Sequence, residues 1–169
     1  MRLATILLLA ATLTAAGCDA AERPPPEGTL APQGDTPGRR LPWPEASAPV
    51  GDWSFATGEQ EIALETIGRR APYSVTVWSV VVAGRLYVAT DDGREKKRWV
   101  AHLDRDPDAR VGMRKATYRV RARPVHEQRE WDMVMTAFGR KYGAQLARYD
   151  FPRVGHLGSG RVFELVSRR

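Results

Sequence analysis

The stretch "YSVTVWSVVVAGRLYVAT", residues 73–90, holds two β-rich runs separated by Ala83-Gly84-Arg85. Valines, threonines and aromatic residues crowd both runs, and a short glycine-bearing break between such runs predicts a hairpin. The first run is apolar on both faces near its end, which predicts a central strand. Just upstream, "EIALETI" sets Ile62 and Leu64 against Ala63 and Glu65 before the Gly68 turn. That alternation predicts a half-buried strand.

Downstream, after the Asp91-Asp92-Gly93 loop, the segment "GREKKRWVAHLDRDP" at 93–107 changes period. Trp99 and Leu103 lie four apart with Val100 beside them, one apolar stripe on a short helix. Asp106-Pro107 ends it, because proline cannot continue a helix and disfavours α geometry in the residue before it. Its first turn reads as carrying Arg94, Lys96, Lys97 and Arg98, where the partial positive charge of a helix start disfavours cations. These side chains are either a solvated face or the seat of an anion.

"ARVGMRKATYRVRARPV" follows at 109–125, with Ala116, Tyr118, Val120 and Ala122 alternating against Thr117, Arg119, Arg121 and Arg123. It reads as a hairpin with one strongly basic face. In "HEQREWDMVMTAFGRKYG", Trp131, Val134, Met135, Phe138 and Tyr142 recur at helical spacing and Gly143 closes the helix. "GRVFELVS" supplies a last strand. The order β-β-β-α-β-β-α-β has too few helices for a parallel doubly wound sheet. It predicts a mainly β chain with flanking helices (α+β), an antiparallel barrel with its helices packed outside.

His102, His126 and His156 are scattered over separate elements without the close spacing of a zinc site, so no metal is expected. Neither a G-x-S-x-G elbow nor a P-loop occurs, and "GHLGSG" at 155–160 reads as a surface loop. Trp131, Met133 and Met135 fit helical core packing better than a cofactor box. Trp78, beside Thr76 on the central strand, reads as core or as the wall of a slot for a flat ring. Arg69 and Arg70 follow the first strand, Thr90 ends the third, and Lys96, Lys97 and Arg98 open the helix. If the strands pair in sequence, these cations meet the helix N-terminus and suit a phosphate or carboxylate; otherwise they are only solvated.

The 169-residue chain opens with "MRLATILLLAATLTAAGCDA". Arg2 gives a basic start, Leu3 to Leu13 an apolar run too short to span a bilayer, and Ala15-Ala16-Gly17 a small-residue cleavage site, so 1–17 reads as an export signal. With Cys18 directly after Gly17, the segment resembles the lipobox of bacterial lipoproteins, which implies lipidation of Cys18. An ordinary leader with a chance cysteine, or a buried N-terminal helix, competes with that reading. The position of the chain's single cysteine at the apolar–polar boundary favours the anchor.

Residues 18–50, rich in Pro, Gly and Ala, then read as the lipidated cysteine and a semi-extended linker, leaving 51–169 as one domain. Removal of 1–17 takes Arg2 and no acid, so 25 basic residues face 20 acidic ones, a net +5. A basic exported chain is suited to anionic lipid and phosphorylated small molecules more than to nucleic acid.

Taken as a set, Thr66 to Arg70, Leu86 to Thr90, Trp99 to Leu103, Asp106 to Val111 and Thr117 to Val125 resemble the pyridoxamine 5′-phosphate oxidase-like split β-barrel superfamily. The closest resemblance is to its deazaflavin-dependent nitroreductase branch. That resemblance implies an FMN-binding-like split barrel, a homodimer, and FMN or a deazaflavin passing hydride to a small electron acceptor such as a quinone or nitro compound. Carried over by position, it implies that Arg69, Arg70, Lys96, Lys97 and Arg98 meet the phosphate or acidic tail, and that Thr76, Trp78, Thr90 and Trp99 line the ring. No catalytic side chain is singled out, since the cofactor carries the chemistry. Ala71-Pro72-Tyr73 replaces the usual small Ser-Gly or Thr-Gly after the basic turn, and His102 stands where Asn is common. A non-catalytic binding module and a haem-binding split barrel are the alternatives on the same fold. The leader and anchor imply a place in the bacterial cell envelope, attached to the membrane and facing the periplasm or the exterior.

Overall fold

The computed structural model describes residues 31–91, 97–149 and 151–169. Six strands and two helices follow the expected order: β1 (Glu61–Ile67), β2 (Pro72–Val82), β3 (Arg85–Asp91), α1 (Arg98–Arg105), β4 (Asp108–Met113), β5 (Ala116–Pro124), α2 (Gln128–Tyr142) and β6 (Gly160–Ser167). The strands close into an antiparallel barrel in the order β1-β2-β3-β6-β5-β4. Positive φ at Ala83 and Gly84, and again at Arg114 and Lys115, turns β2 into β3 and β4 into β5. Two-residue turns of that hand match the twist of the strands they join.

Alternation sorts the side chains into two cores. Ile62, Leu64, Val77, Leu86, Val88, Val111, Val120, Phe163 and Leu165 fill the barrel, while Val80, Tyr87, Ala89 and Val162 point outward against α2. The helix answers with Trp131, Val134, Met135, Phe138 and Tyr142, the residues its spacing marked. Both helices flank the closed barrel as expected, α2 against its wall and α1 across its end. α1 gives Trp99, Val100 and Leu103 to the barrel interior and closes the end where β1 stops and β2 begins, with Arg105 donating to the Ile67 carbonyl at 2.7 Å.

β2 changes partners midway, and this positions the site. Its residues 72–78 pair with β1, whereas 79–82 pair with β3, beginning at Ser79↔Val88. Beyond that point β3 leaves β2 while its other edge stays paired with β6, from Tyr87↔Glu164 through Asp91↔Gly160. Where β2 loses β1, side chains of α2 take over its backbone: the Tyr142 hydroxyl accepts from the Ser79 amide at 3.0 Å and lies 2.8 Å from the Ser79 carbonyl, and Lys141 donates to that carbonyl at 2.7 Å. Burial pushes the Tyr142 hydroxyl up to about 12 and the Lys141 ammonium below its usual value.

Outside β3, β5 and β6, Glu164 accepts from Arg85 Nε at 2.5 Å and Arg123 Nε at 2.6 Å, and Glu130 of α2 accepts from Arg123 at 2.6 Å and the Tyr87 hydroxyl at 2.8 Å. Burial works to raise both carboxyls, but the hydrogen bonds and charges of the two arginines outweigh it and hold them below the ordinary range.

Three sequence expectations change here. β1 is buried from Ile62 to Thr66 on both faces rather than on one. The cause is the stretch expected to be a free linker: within 31–50, Gly38 pairs with Ser74, Leu41 is buried and donates its amide to Glu65 at 2.6 Å, and the Thr117 amide and hydroxyl donate to the Pro44 and Trp43 carbonyls. Gly112 lets this strap approach, since a Cβ there would land on the Trp43 ring. Proline-rich composition excludes a core of its own but not packing on a ready-made sheet. The third change is at α1, whose cap is Lys97 and whose first residue is Arg98. Arg94, Lys96, Cys18 and the leader lie outside the described residues.

Candidate functional site

The divergence of β2 from β3 opens a cleft of about 360 Å³. β2 supplies Thr76 and Trp78, β3 supplies Thr90, and the start of α1 supplies Lys97, Arg98 and Trp99. The family resemblance grouped these six, and the antiparallel order β1-β2-β3 brings them to one opening. Arg69 and Arg70 do not join them. The β1–β2 turn carries both into a separate cavity of about 540 Å³, among Arg40, Arg110, Arg119 and Arg168.

Trp78 resolves into both of its readings. Its ring stacks on Tyr142 at 4.8 Å and 12°, with Tyr149 edge-on at 5.4 Å, yet one side of it still lines the cleft. α1 begins without an acid in its first turn and without a side-chain cap. A helix start of this kind presents amide N–H groups and the partial positive charge to whatever faces it. Planar aromatic walls, the Thr76 and Thr90 hydroxyls and two cations at a helix start suit a flat ring bearing an anionic tail. Against these stands a turn closed by the Gln33↔Thr36 bridge, whose residues 34–37 form part of the cleft wall.

Behind the cleft, His102 is buried under α1. The Thr66 hydroxyl lies 2.9 Å from His102 Nδ1 and 3.2 Å from the Tyr73 carbonyl, within hydrogen-bonding reach of both. The imidazole also meets Tyr73 edge to face at 5.3 Å. His102 thus ties the helix to β1 and β2 and holds Tyr73 at the cleft wall.

Sequence reasoning missed Tyr149, Phe151 and residues 34–37 as cleft lining. The aromatics of "YDFP" were a legible signal, and the Gly34-Asp35-Thr36-Pro37 turn was assigned to a linker.

A closed six-stranded antiparallel barrel, one helix across its end, and a cleft where two strands part make this a mainly β split-barrel chain. A family model described as F420H(2)-dependent quinone reductase matches residues 47–150, and the chain belongs to that family. Membership makes it an oxidoreductase of the kind that draws on a flavin-type or deazaflavin cofactor.

Three solved structures share the fold. HutZ, the haem storage protein of Vibrio cholerae, is 15% identical with a TM-score of 0.52, over 68% of this chain and 86% of that one. A conserved hypothetical protein of Mycobacterium tuberculosis is 18% identical with a TM-score of 0.52, over 74% and 86%. A putative 5-nitroimidazole antibiotic resistance protein of Bacteroides thetaiotaomicron is 10% identical with a TM-score of 0.51, over 72% and 83%. Identities this low speak for the fold alone. No curated protein matches the chain.

Proposed function

We propose that this chain is a deazaflavin-dependent reductase that holds F420 in the cleft between β2 and β3 and reduces a quinone or similar small acceptor. The observation that supports it most is the convergence of Thr76, Trp78, Thr90, Lys97, Arg98 and Trp99 on one opening, in a chain matching the quinone reductase family. When bound, the deazaflavin supplies the hydride. The chain's own part is to bind and orient. Lys97 and Arg98 face the anionic end, the two threonines offer hydroxyls to polar ring edges, and Trp78 and Trp99 exclude water from the ring. No acid–base pair is required of the protein, and His102 acts by positioning Tyr73.

The proposal extends to the setting. Cys18 carries a lipid anchor, the chain lies at the bacterial envelope, and two copies pair so that the second completes the cofactor site. A non-catalytic binding module is the second reading, favoured by the residues 34–37 turn in the cleft wall and by Ala71-Pro72-Tyr73 in place of small residues.

Titration of the full chain with F420, followed by its fluorescence, tests binding; oxidation of F420H2 by menadione tests catalysis. Charge-assisted hydrogen bonds sheltered from water contribute about 1.5–3 kcal/mol each. Lys97→Ala with Arg98→Ala should therefore weaken F420 about tenfold to a hundredfold, less as salt rises, with unchanged or slightly higher stability of the free chain. Equal affinity with lower stability would assign the cations to the fold. Binding without turnover would favour the non-catalytic module.

A further inference from the structure

The cavity that captured Arg69 and Arg70 lies on the outer face of β1, β4 and β5. Its acids are already committed: Glu65 to Arg110 at 3.0 Å, and Asp108 to Arg121 at 2.9 Å and to Arg168. Arg119 is likewise taken by Glu45 at 2.5 Å. Arg40, Arg69 and Arg70 make no ion pair among the described residues, and all three side chains are exposed. Between them sits Ile67, 48% exposed at the end of β1, with Ala71 and Pro72 beside it. Unpaired cations around an exposed aliphatic side chain, with no buried seat for a single anion, form a surface for a sheet of negative charge with an apolar layer beneath it.

We infer that the Arg40–Arg69–Arg70 face docks on an anionic phospholipid bilayer, with Ile67 entering the interfacial layer. This goes beyond the reductase reading and does not depend on it. The charge complementarity is long-ranged and salt-sensitive, and each basic side chain near an anionic surface contributes about fivefold to binding. A nucleic-acid backbone would meet the same charges but offers no layer for Ile67.

The experiment is amide hydrogen exchange on the full chain without any cofactor, mixed with phosphatidylglycerol vesicles or with phosphatidylcholine vesicles. Whether or not the chain is lipidated, docking should slow exchange at 68–71 severalfold on the anionic vesicles and leave it unchanged on the zwitterionic ones. Raised salt should remove the difference. Arg69→Gln with Arg70→Gln should abolish it, while exchange in the paired part of β1 and β2 stays as in the parent and certifies the fold. Equal protection on both lipids, or protection surviving in the variant, overturns the inference. So does release by inorganic phosphate beyond that by chloride at matched ionic strength, which would indicate a discrete phosphate site, or equal protection by a DNA duplex. F420 titration is read separately, so either proposal can fail alone.

Discussion

On the β3–β6–β5 face Arg85 and Arg123 converge on Glu130 and Glu164, whereas across the barrel Arg69 and Arg70 leave the β1–β2 turn without an ion pair among the described residues. The same side chain is used in two ways. In the first region the carboxylates are sheltered between strands and α2, so each needs donors and the arginines supply them in a fixed geometry. In the second the guanidinium groups stay in water, where a surface ion pair would add little and unpaired charge costs little. The Arg85 and Arg123 pairs therefore serve the fold, whereas Arg69 and Arg70 are left facing solvent.

The largest expected effect comes from breaking the paired side. Glu164→Gln leaves Arg85 and Arg123 facing an amide, and should lower unfolding free energy by about 2–3 kcal/mol. Both arginines are more than a third exposed, which keeps the loss below that of a fully buried pair. The contribution also has a pH signature. Because the folded-state carboxyls lie below their usual value, the stabilisation is complete above the ordinary glutamate range and disappears as pH falls through the lowered folded values. Denaturant melts from neutral pH downward should show the parent and the variant converging in acid. A constant gap would mean that packing, not charge, is lost.

A smaller effect sharpens the role of the strap that crosses the open side. Gly112→Ala should displace Trp43 at a cost of about 1–3 kcal/mol, read as a shift in thermal midpoint together with a change in tryptophan fluorescence. An unperturbed spectrum would mean that the strap yields without strain. The smallest effect belongs to the unpaired arginines. Arg69→Gln with Arg70→Gln should change stability by less than about 0.5 kcal/mol. A larger loss would erase the contrast between the two faces.

Period was legible in most elements, while β1, whose alternation predicted one buried face, is covered on both. The β-rich runs broken at Ala83-Gly84-Arg85 gave the hairpin, and the three- and four-residue spacing in 128–142 gave α2, because a buried helix face forces its own repeat on the chain. The family resemblance then pointed to Thr76, Trp78, Thr90 and Trp99, which the pairing of β1, β2 and β3 brings to one cleft.

What sequence spacing does not encode is the point at which a strand changes partner. The separation of Arg69 and Arg70 from Lys97 and Arg98 follows from β2 pairing with β1 only as far as Trp78, and from α1 filling the barrel's end between the two sets. The same limit hid the strap. Pro, Gly and Ala across 31–50 announce a segment unable to fold alone, and composition cannot show that a neighbouring sheet already offers Ser74, Glu65 and Thr117 as backbone partners. Local sequence determined the elements and the apolar faces, since each follows from contacts a few residues apart. Tertiary structure alone decided which arginines found acids and which cations shared a cavity, because those outcomes rest on contacts between residues as many as 79 positions apart in the chain.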